Sequence, residues 1–287
     1  YPLAMTILFV NRLTVIDSSF LCAVRGLVGE SWQVDVELEG ALDYQGMVLD
    51  FGDVKPLIKR HIDHEFDHKL LVPAEHPALA LHETPEGAHL DFRLDDGREI
   101  THRSPADALT LLPTDHISAA GLAQIIADSL RTKLPENVSD LRLRLWTEVI
   151  DGAHYHYSHG LKHHAGNCQR IAHGHRSRIE IWRNGLRDRV LEQDWADRWQ
   201  DVYIGTSEDV IGTSLREGLA YYEFGYTGSQ GEFGLTLPQA TSYLIDSDST
   251  VENIAQHIAE QLKADFPADE FRVYAYEGVD KGAVGIA

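Results

Sequence analysis

The feature that most constrains this chain is that it repeats itself. Leu122-Ala123-Gln124-Ile125-Ile126-Ala127 is echoed by Ile254-Ala255-Gln256-His257-Ile258-Ala259. Each lies in an amphipathic stretch of helical period, and each is followed by a proline-containing break, at Pro135 and at Pro267. An alternating, strand-like segment comes next: Leu141–Glu148 in one half and Phe271–Glu277 in the other. Both end in a glutamate and a turn, Asp151-Gly152 or Asp280-Lys281-Gly282. The front ends match more loosely. Asn11-Arg12-Leu13, Cys22 and Val28-Gly29-Glu30 precede a strand at Ser31–Leu38; His159-Gly160-Leu161, Cys168 and His173-Gly174-His175 precede one at Arg176–Trp182. One supersecondary unit met twice predicts two related domains, residues 5–152 and 153–287, on a short linker. A length of 287 residues suits two domains of ordinary size.

The middles of the halves do not match. In the first, Gly46-Met47-Val48-Leu49-Asp50-Phe51 leads into a helical pattern over Asp53–Phe66 (Val54, Leu57, Ile58, Ile62, Phe66) that ends at Asp67-His68-Lys69-Leu70-Leu71. The second has a Gly/Tyr-rich stretch, Gly205–Leu237, without a phosphate loop or a strict Gly-x-Gly-x-x-Gly. It reads as a loop or modified hairpin with no nucleotide role. The net charge of −20 argues against nucleic acid as a partner but leaves room for an anionic small molecule held by a local basic cluster. No apolar run approaches the roughly 18–20 residues a bilayer needs, and no secretory signal pattern is present. Two cysteines, Cys22 and Cys168, make no disulfide framework, so a cytoplasmic location is expected. Tyr1–Ala4 precede the first methionine, Met5, and are set aside as an extraneous leader.

The chemistry concentrates in the second half. His173-Gly174-His175 enters a strand, and side chains two apart on a strand share a face, so both imidazoles can reach one metal. The glycine between them admits a close approach by another backbone or a ligand. Tyr155–Leu161 also reads as a strand, with His159 near its end, and pairing of the two strands would bring a third imidazole to the same point. Three histidines with an open fourth position describe a catalytic zinc, although His163 or His164 could stand in for His159 on spacing alone. Cys168 lies five residues before His173, close enough to be a fourth ligand or a nearby acid/base.

In order, His…Cys…His-Gly-His, Gly46–Phe51, Asp67-His68-Lys69, Thr250-Val251-Glu252-Asn253 and the strand-end glutamate resemble the 6-pyruvoyltetrahydropterin synthase/6-carboxytetrahydropterin synthase family. The resemblance implies an α+β architecture of two tandem T-fold domains. Each would be a four-stranded antiparallel sheet with two helices on one face, and subunits would join sheet to sheet into a homo-oligomer. It also implies Zn2+ on His159, His173 and His175, Cys168 as general base, an Asp67-His68 pair supplied across an interface, and Glu277, aided by Glu252, anchoring a pterin. The implied substrate is 7,8-dihydroneopterin triphosphate, which loses triphosphate to give a 6-carboxy- or 6-pyruvoyl-tetrahydropterin. Arg170, Arg176, Arg178 and Lys162 are the candidate triphosphate cations.

The family pattern is carried unevenly. Asn11, Val28 and Glu30 stand where the first half's ligands belong, and valine cannot bind zinc; yet this half keeps Cys22, Asp67, His68 and Glu148. The second half keeps the histidines, Cys168, Glu252 and Glu277 but shows no counterpart of Asp67-His68. The halves therefore read as complementary, the first donating Asp67 and His68 to a site in the second. Two other readings are a zinc enzyme acting on a related pterin-like ring and a non-catalytic pterin-binding scaffold.

Overall fold

The computed structural model describes residues 5–287; Tyr1–Ala4, set aside above, lie outside the described residues. The first half runs β1 (Met5–Cys22), β2 (Gly26–Ala41), α1 (Phe51–Glu65), β3 (Leu70–Pro73), β4 (Leu79–Thr84), β5 (Gly87–Arg93), β6 (Glu99–Ser104), β7 (Leu109–Leu112), α2 (Ala119–Arg131) and β8 (Val138–Thr147). The second runs β9 (His154–His159), β10 (His173–Arg183), β11 (Leu186–Arg187), α3 (Arg189–Arg198), β12 (Val202–Thr206), β13 (Val210–Arg216), β14 (Leu219–Gly228), β15 (Gly231–Pro238), β16 (Ser242–Ile245), α4 (Val251–Asp265), β17 (Phe271–Tyr276) and β18 (Gly282–Ile286).

The sheet orders repeat over five strands. The first sheet is β7-β3-β1-β2-β8 and the second is β16-β12-β9-β10-β17-β18. In the second, β9, β10, β17 and β18 are the four antiparallel strands expected of a T-fold, with β12 and β16 added in parallel at one edge. The first sheet has the same parallel edge, β3 on β1 and β7 on β3, but among the described residues it ends at β8 without a fourth antiparallel strand.

The middles, unlike in sequence, are alike in fold. Gly205–Leu237 is not a loop: it contains β13, β14 and most of β15, an antiparallel meander, and the first half places the meander β4-β5-β6 at the same point of its topology. The two meanders join through β6 and β15, with His102 opposite Leu235, into one six-stranded sheet. A meander needs only alternation and turn residues, so two sequences with no residue match can build the same one.

By packing, the chain forms two compact units that are not continuous in sequence. One contains residues up to Ile16, Trp32–Asp67 and Ile117–Glu148; the other contains Asp17–Ser31, His68–His116 and Val149–Ala287. In the first, β2 pairs antiparallel with β8 from Trp32↔Thr147 onward, α2 packs on β8, and α1 lies against α2. Asp50 caps α1 and Ser118 caps α2, each accepting from a helix N–H as such caps do. In the second unit, α3 and α4 cover one sheet face. Trp195, Trp199, Ile254, Ile258 and Leu262 pack on Tyr155, Tyr157, Ile179, Ile181 and Val273. Burial of each such aliphatic side chain stabilises by roughly 1.5–3 kcal/mol. Asp188 and Thr250 cap these helices, and the Thr250 cap fixes the preceding residue, Ser249, whose carbonyl matters below.

Candidate functional site

The β9–β10 register places His173 opposite His159 and His175 opposite Tyr157. His173 and His175 lie two apart on one strand, so the three imidazoles converge. All three are buried. Their donor atoms lie within 4.8 Å of one another, and the Nε2 atoms of His159 and His175 are 3.3 Å apart. Between the two β10 histidines, a Cβ on Gly174 would stand 2.5 Å from the Tyr157 carbonyl oxygen and 2.6 Å from Gly29 Cα. The close backbone approach expected at this glycine is therefore made by β2.

Each ring is held from behind. His159 Nδ1 donates to the Ser249 carbonyl (2.9 Å) and His173 Nδ1 to the Arg170 carbonyl (3.0 Å). His175 Nδ1 lies 3.2 Å from Asp17 Oδ1. The two backbone carbonyls assign the proton to Nδ1 on His159 and His173 and leave their Nε2 lone pairs facing inward, while His175 Nδ1 faces the Asp17 carboxylate without an aligned hydrogen bond. Burial, reinforced by the neighbouring imidazoles, holds His159 and His173 well below the usual histidine range, so both are neutral. Burial opposes ionisation of Asp17, but the charge and hydrogen bond of His175, with Lys281 and Ser31, outweigh it and keep the carboxyl below its usual range. Buried imidazoles that converge and are backed by outer partners are the donor set a metal ion requires, so these residues fit one.

Of the residues expected beside the ligands, His68 and Cys168 are there. Their donor atoms and that of His173 lie within 4.8 Å of one another, and the His68 ring stacks on His173 at 5.2 Å between centroids. His68 adopts a left-handed backbone (φ 53°), held by its N–H donating to the Asp17 carbonyl (2.9 Å). A non-glycine residue held there is a local strain worth a functional reading. Asp67 belongs to the other compact unit, its N–H bonded to the Ile62 carbonyl at the end of α1. Glu277 follows β17; its carboxylate is 3.7 Å from Lys281 Nζ, which is 3.5 Å from Asp17 Oδ2. Glu252 is exposed in the first turn of α4, where the helix dipole favours an acid. Of the four candidate cations, Lys162 is paired with Glu208 and Asp209, Arg178 with Asp280, and Arg176 meets His154. Arg170 reaches the site, its Nη1 donating to the His68 carbonyl (3.3 Å).

The loop that carries Cys168 is clamped by the second meander. Gln169 is fully buried; its Oε1 accepts from Gln230 N–H (2.8 Å) and its Nε2 donates to Ser229 Oγ (2.8 Å). The Tyr226 hydroxyl donates to the Gln169 carbonyl (2.8 Å).

Sequence reasoning missed Asp17, Ser249 and Gln169. Only Asp17 left a signal, an acid inside the otherwise uncharged strand run Val15–Leu21. It also misaligned the first half. Ser19 Oγ meets Ser158 Oγ (2.6 Å), and Gly29 faces Gly174, so these positions pair off as equivalents in the two copies of the repeat. In this relation Phe20, not Asn11, corresponds to His159, while Val28 and Glu30 correspond to His173 and His175. The parallel pairings Ser19↔Leu70 and Ser158↔Tyr203 then place Asp201 opposite His68 in role, and both are left-handed (φ 55° and 53°). The Asp67-His68 segment thus has a backbone counterpart in Gln200-Asp201. Cys22 ends β1, ahead of the tight turn Ala23–Arg25, whereas Cys168 sits in the long loop Gly160–Ala172, so the two cysteines are not equivalent.

Comparison with known proteins agrees with the internal repeat. The family model described as 6-pyruvoyl tetrahydropterin synthase matches twice, over residues 25–155 and 148–284. A provisionally named 6-carboxy-5,6,7,8-tetrahydropterin synthase of Pyrococcus horikoshii is 25% identical over 120 residues, covering 42% of this chain and 68% of that protein. Its namesake in Pyrococcus abyssi is 26% identical over 124 residues, covering 43% and 70%. Among solved structures, a catalytic-residue mutant of Plasmodium vivax 6-pyruvoyltetrahydropterin synthase overlays with a TM-score of 0.41 at 18% identity, covering 50% of this chain and 91% of that one. The two consecutive family matches span most of the sequence: the chain belongs to the 6-pyruvoyl tetrahydropterin synthase family and carries its unit twice in tandem.

Proposed function

We propose that the protein is a zinc-dependent pterin-forming lyase. It would act on 7,8-dihydroneopterin triphosphate and release triphosphate, giving a 6-pyruvoyl-tetrahydropterin or, with water and loss of the outer two side-chain carbons as an aldehyde, a 6-carboxy-tetrahydropterin. The observation that carries this reading is the set of three buried, converging imidazoles, each with a partner behind it, with Cys168 and His68 beside them. A bound zinc would supply Lewis acidity to the substrate's side-chain oxygens, acidifying the adjacent C–H.

The chain's own groups supply the proton traffic. Cys168 Sγ takes the proton from the substrate carbon, and the His68 ring, stacked on His173, serves as the complementary acid/base. Asp67, next in sequence, is the orienting partner proposed for His68. Glu277 accepts from the amino-pyrimidine edge of the pterin, a charge-assisted pairing, and Glu252 is the proposed second anchor. Arg170 is the cation nearest the cluster for the triphosphate. In this reading residues 5–152 and 153–287 are the two copies of the unit, and the copies cooperate in one site per chain. The fused chains are proposed to assemble as a trimer or a dimer of trimers in the cytoplasm, which light scattering on the purified protein would test.

The decisive experiment measures zinc content and turnover of dihydroneopterin triphosphate, with product mass, in the wild type and in Asp67→Ala/His68→Ala. The wild type is expected to hold zinc and form product. The double variant should keep zinc while losing about 10²–10⁴ of turnover, the range of acid–base catalysis. Wild-type turnover in the variant would remove Asp67 and His68 from the site, and a wild type without zinc would overturn the metal reading.

A further inference from the structure

We infer that Asp17 is a positioning residue for the metal cluster: through its carboxylate, the first copy of the repeat fixes the ring of His175 and strengthens its Nε2 as a donor. The inference rests on the metal reading above and gives the first copy a part in the site beyond Asp67 and His68.

The three rings are not backed alike. His159 and His173 donate from Nδ1 to backbone carbonyls, whereas only His175 faces a carboxylate. A carboxylate behind an imidazole draws the Nδ1 proton toward itself and raises the basicity of the opposite nitrogen. Asp17 is built to stay in place. Its side chain is buried, Ser31 Oγ donates to Oδ1 (2.5 Å), and Lys281 Nζ lies 3.5 Å from Oδ2. Gly278 leaves room for it: a Cβ there would stand 2.6 Å from Asp17 Oδ1 and 2.9 Å from Ser31 Oγ, and the residue is left-handed (φ 70°), so glycine is needed on both grounds. The backbone of Asp17 serves the same site, because its carbonyl accepts the His68 N–H. One residue thus ties a metal ligand and the proposed acid/base to the same point of β1.

The equivalence of positions in the two copies supplies an internal control. The position equivalent to Asp17 is His156, and the position equivalent to His175 is Glu30. Their nearest atoms, His156 Nδ1 and Glu30 Oε2, are 3.7 Å apart. Acid and imidazole have exchanged places where the other ligand positions are Phe20 and Val28. The carboxylate backing occurs on the side that has metal ligands and is inverted on the side that has none.

The test loads wild type, Asp17→Asn and Ser31→Ala with zinc, titrates each against a chelator, and records the visible spectrum of each after replacement by Co2+. Asp17→Asn keeps the shape and removes the charge. It should lose metal affinity by about 10–100-fold, the usual range for an outer-sphere partner, and shift the cobalt bands. Ser31→Ala, which removes a hydrogen bond to the same carboxylate but keeps its charge, should lose clearly less affinity than Asp17→Asn and shift the cobalt bands less. A nitrogen-15 histidine NMR spectrum of the zinc-loaded wild type needs no variant: one of the three ligand Nδ1 protons should be deshielded well beyond the other two. Unchanged affinity and spectrum in Asp17→Asn, equal losses in Ser31→Ala, or three like Nδ1 protons would each overturn the inference. A wild type that binds no zinc would instead sink the reading beneath it.

Discussion

The same place in the fold occurs twice in this molecule, and the two occurrences have been put to opposite uses. In the second copy, three buried imidazoles converge, each with a partner behind it. In the first, the equivalent positions are Phe20, Val28 and Glu30, and the surrounding charges neutralise one another. The Arg25 guanidinium donates twice to Asp201 (2.6 and 2.9 Å), and Glu30 accepts from Ser31 N–H (3.0 Å) with His156 at 3.7 Å. What a duplicated unit retains, then, is backbone geometry: the facing glycines Gly29 and Gly174 and the left-handed residues His68 and Asp201. What it is free to change is the chemistry hung on that geometry, provided each buried charge still finds a partner.

The sharpest way to break this comparison is to remove one residue from each side. His173→Ala deletes a proposed ligand and should cut zinc affinity and turnover by more than the roughly 100-fold that losing an outer-sphere partner causes. Val28→Ala, at the equivalent position, should cost stability of about 1 kcal/mol or somewhat more while leaving zinc stoichiometry alone. Metal analysis and denaturant melts on both variants check this. A zinc loss in Val28→Ala like that in His173→Ala would mean that the copies share the metal role.

Next in size is the contact that the copies share. A methyl group on Gly174 meets backbone on one side and Gly29 on the other, and neither can swing away. Gly174→Ala should therefore destabilise by at least about 3 kcal/mol, the upper end for overpacking, and loosen the ligand strand. A urea midpoint near wild type would show that β2 and β10 are not held at this approach.

The charge swap can be read by pH. Burial pushes the Glu30 carboxyl up to about 7, against the Ser31 N–H and the nearby Arg176 and Arg25. Burial likewise lowers His156 to about 4, against its bond to the Gly29 carbonyl. Between about pH 4.5 and 7 the native state keeps a Glu30 proton that the unfolded chain has released, so this group loses stability as pH rises. Between about pH 4 and 6.5 the unfolded chain holds a His156 proton that the native state lacks, so that group gains stability as pH rises. The opposed slopes largely cancel in the wild type. Glu30→Gln removes only the falling one, so its stability relative to wild type should climb by about 3 kcal/mol from pH 4.5 to 7. Parallel stability profiles for the two proteins would refute the assignment.

Much of this was legible in the sequence, for a physical reason. Period-two placement of His173 and His175 around a glycine allows few geometries, and the helix and strand echoes at 122–127 and 254–259 are direct consequences of two equal packing problems. The counterpart of His68 was not legible, because what Asp201 shares with it is a positive φ and not a side chain. Asp17 was hidden because its partner, His175, lies far along the chain, and the meanders were hidden because alternation suffices to build them. Aligning His159 with Asn11 and Cys168 with Cys22 failed for one cause: the β1–β2 connection is a tight turn where the β9–β10 connection is a long loop.

That difference in connection length gives the smallest predicted effect. The long loop Gly160–Ala172 holds Cys168 and the Arg170 carbonyl behind His173, and its one fully buried polar side chain among the described residues is Gln169. Gln169 is gripped by Ser229 and Gln230 at the tip of the β14–β15 hairpin, so the second meander acts on the site through this residue. Gln169→Leu keeps the bulk and leaves those partners unsatisfied, which should destabilise by about 1–3 kcal/mol. Turnover should fall by about tenfold with zinc still bound, because the Cys168 thiol is displaced while two of the three ligands are anchored elsewhere. If Gln169→Leu turns over at the wild-type rate, the second meander is only a brace for the core, and the two copies differ at the ligands alone.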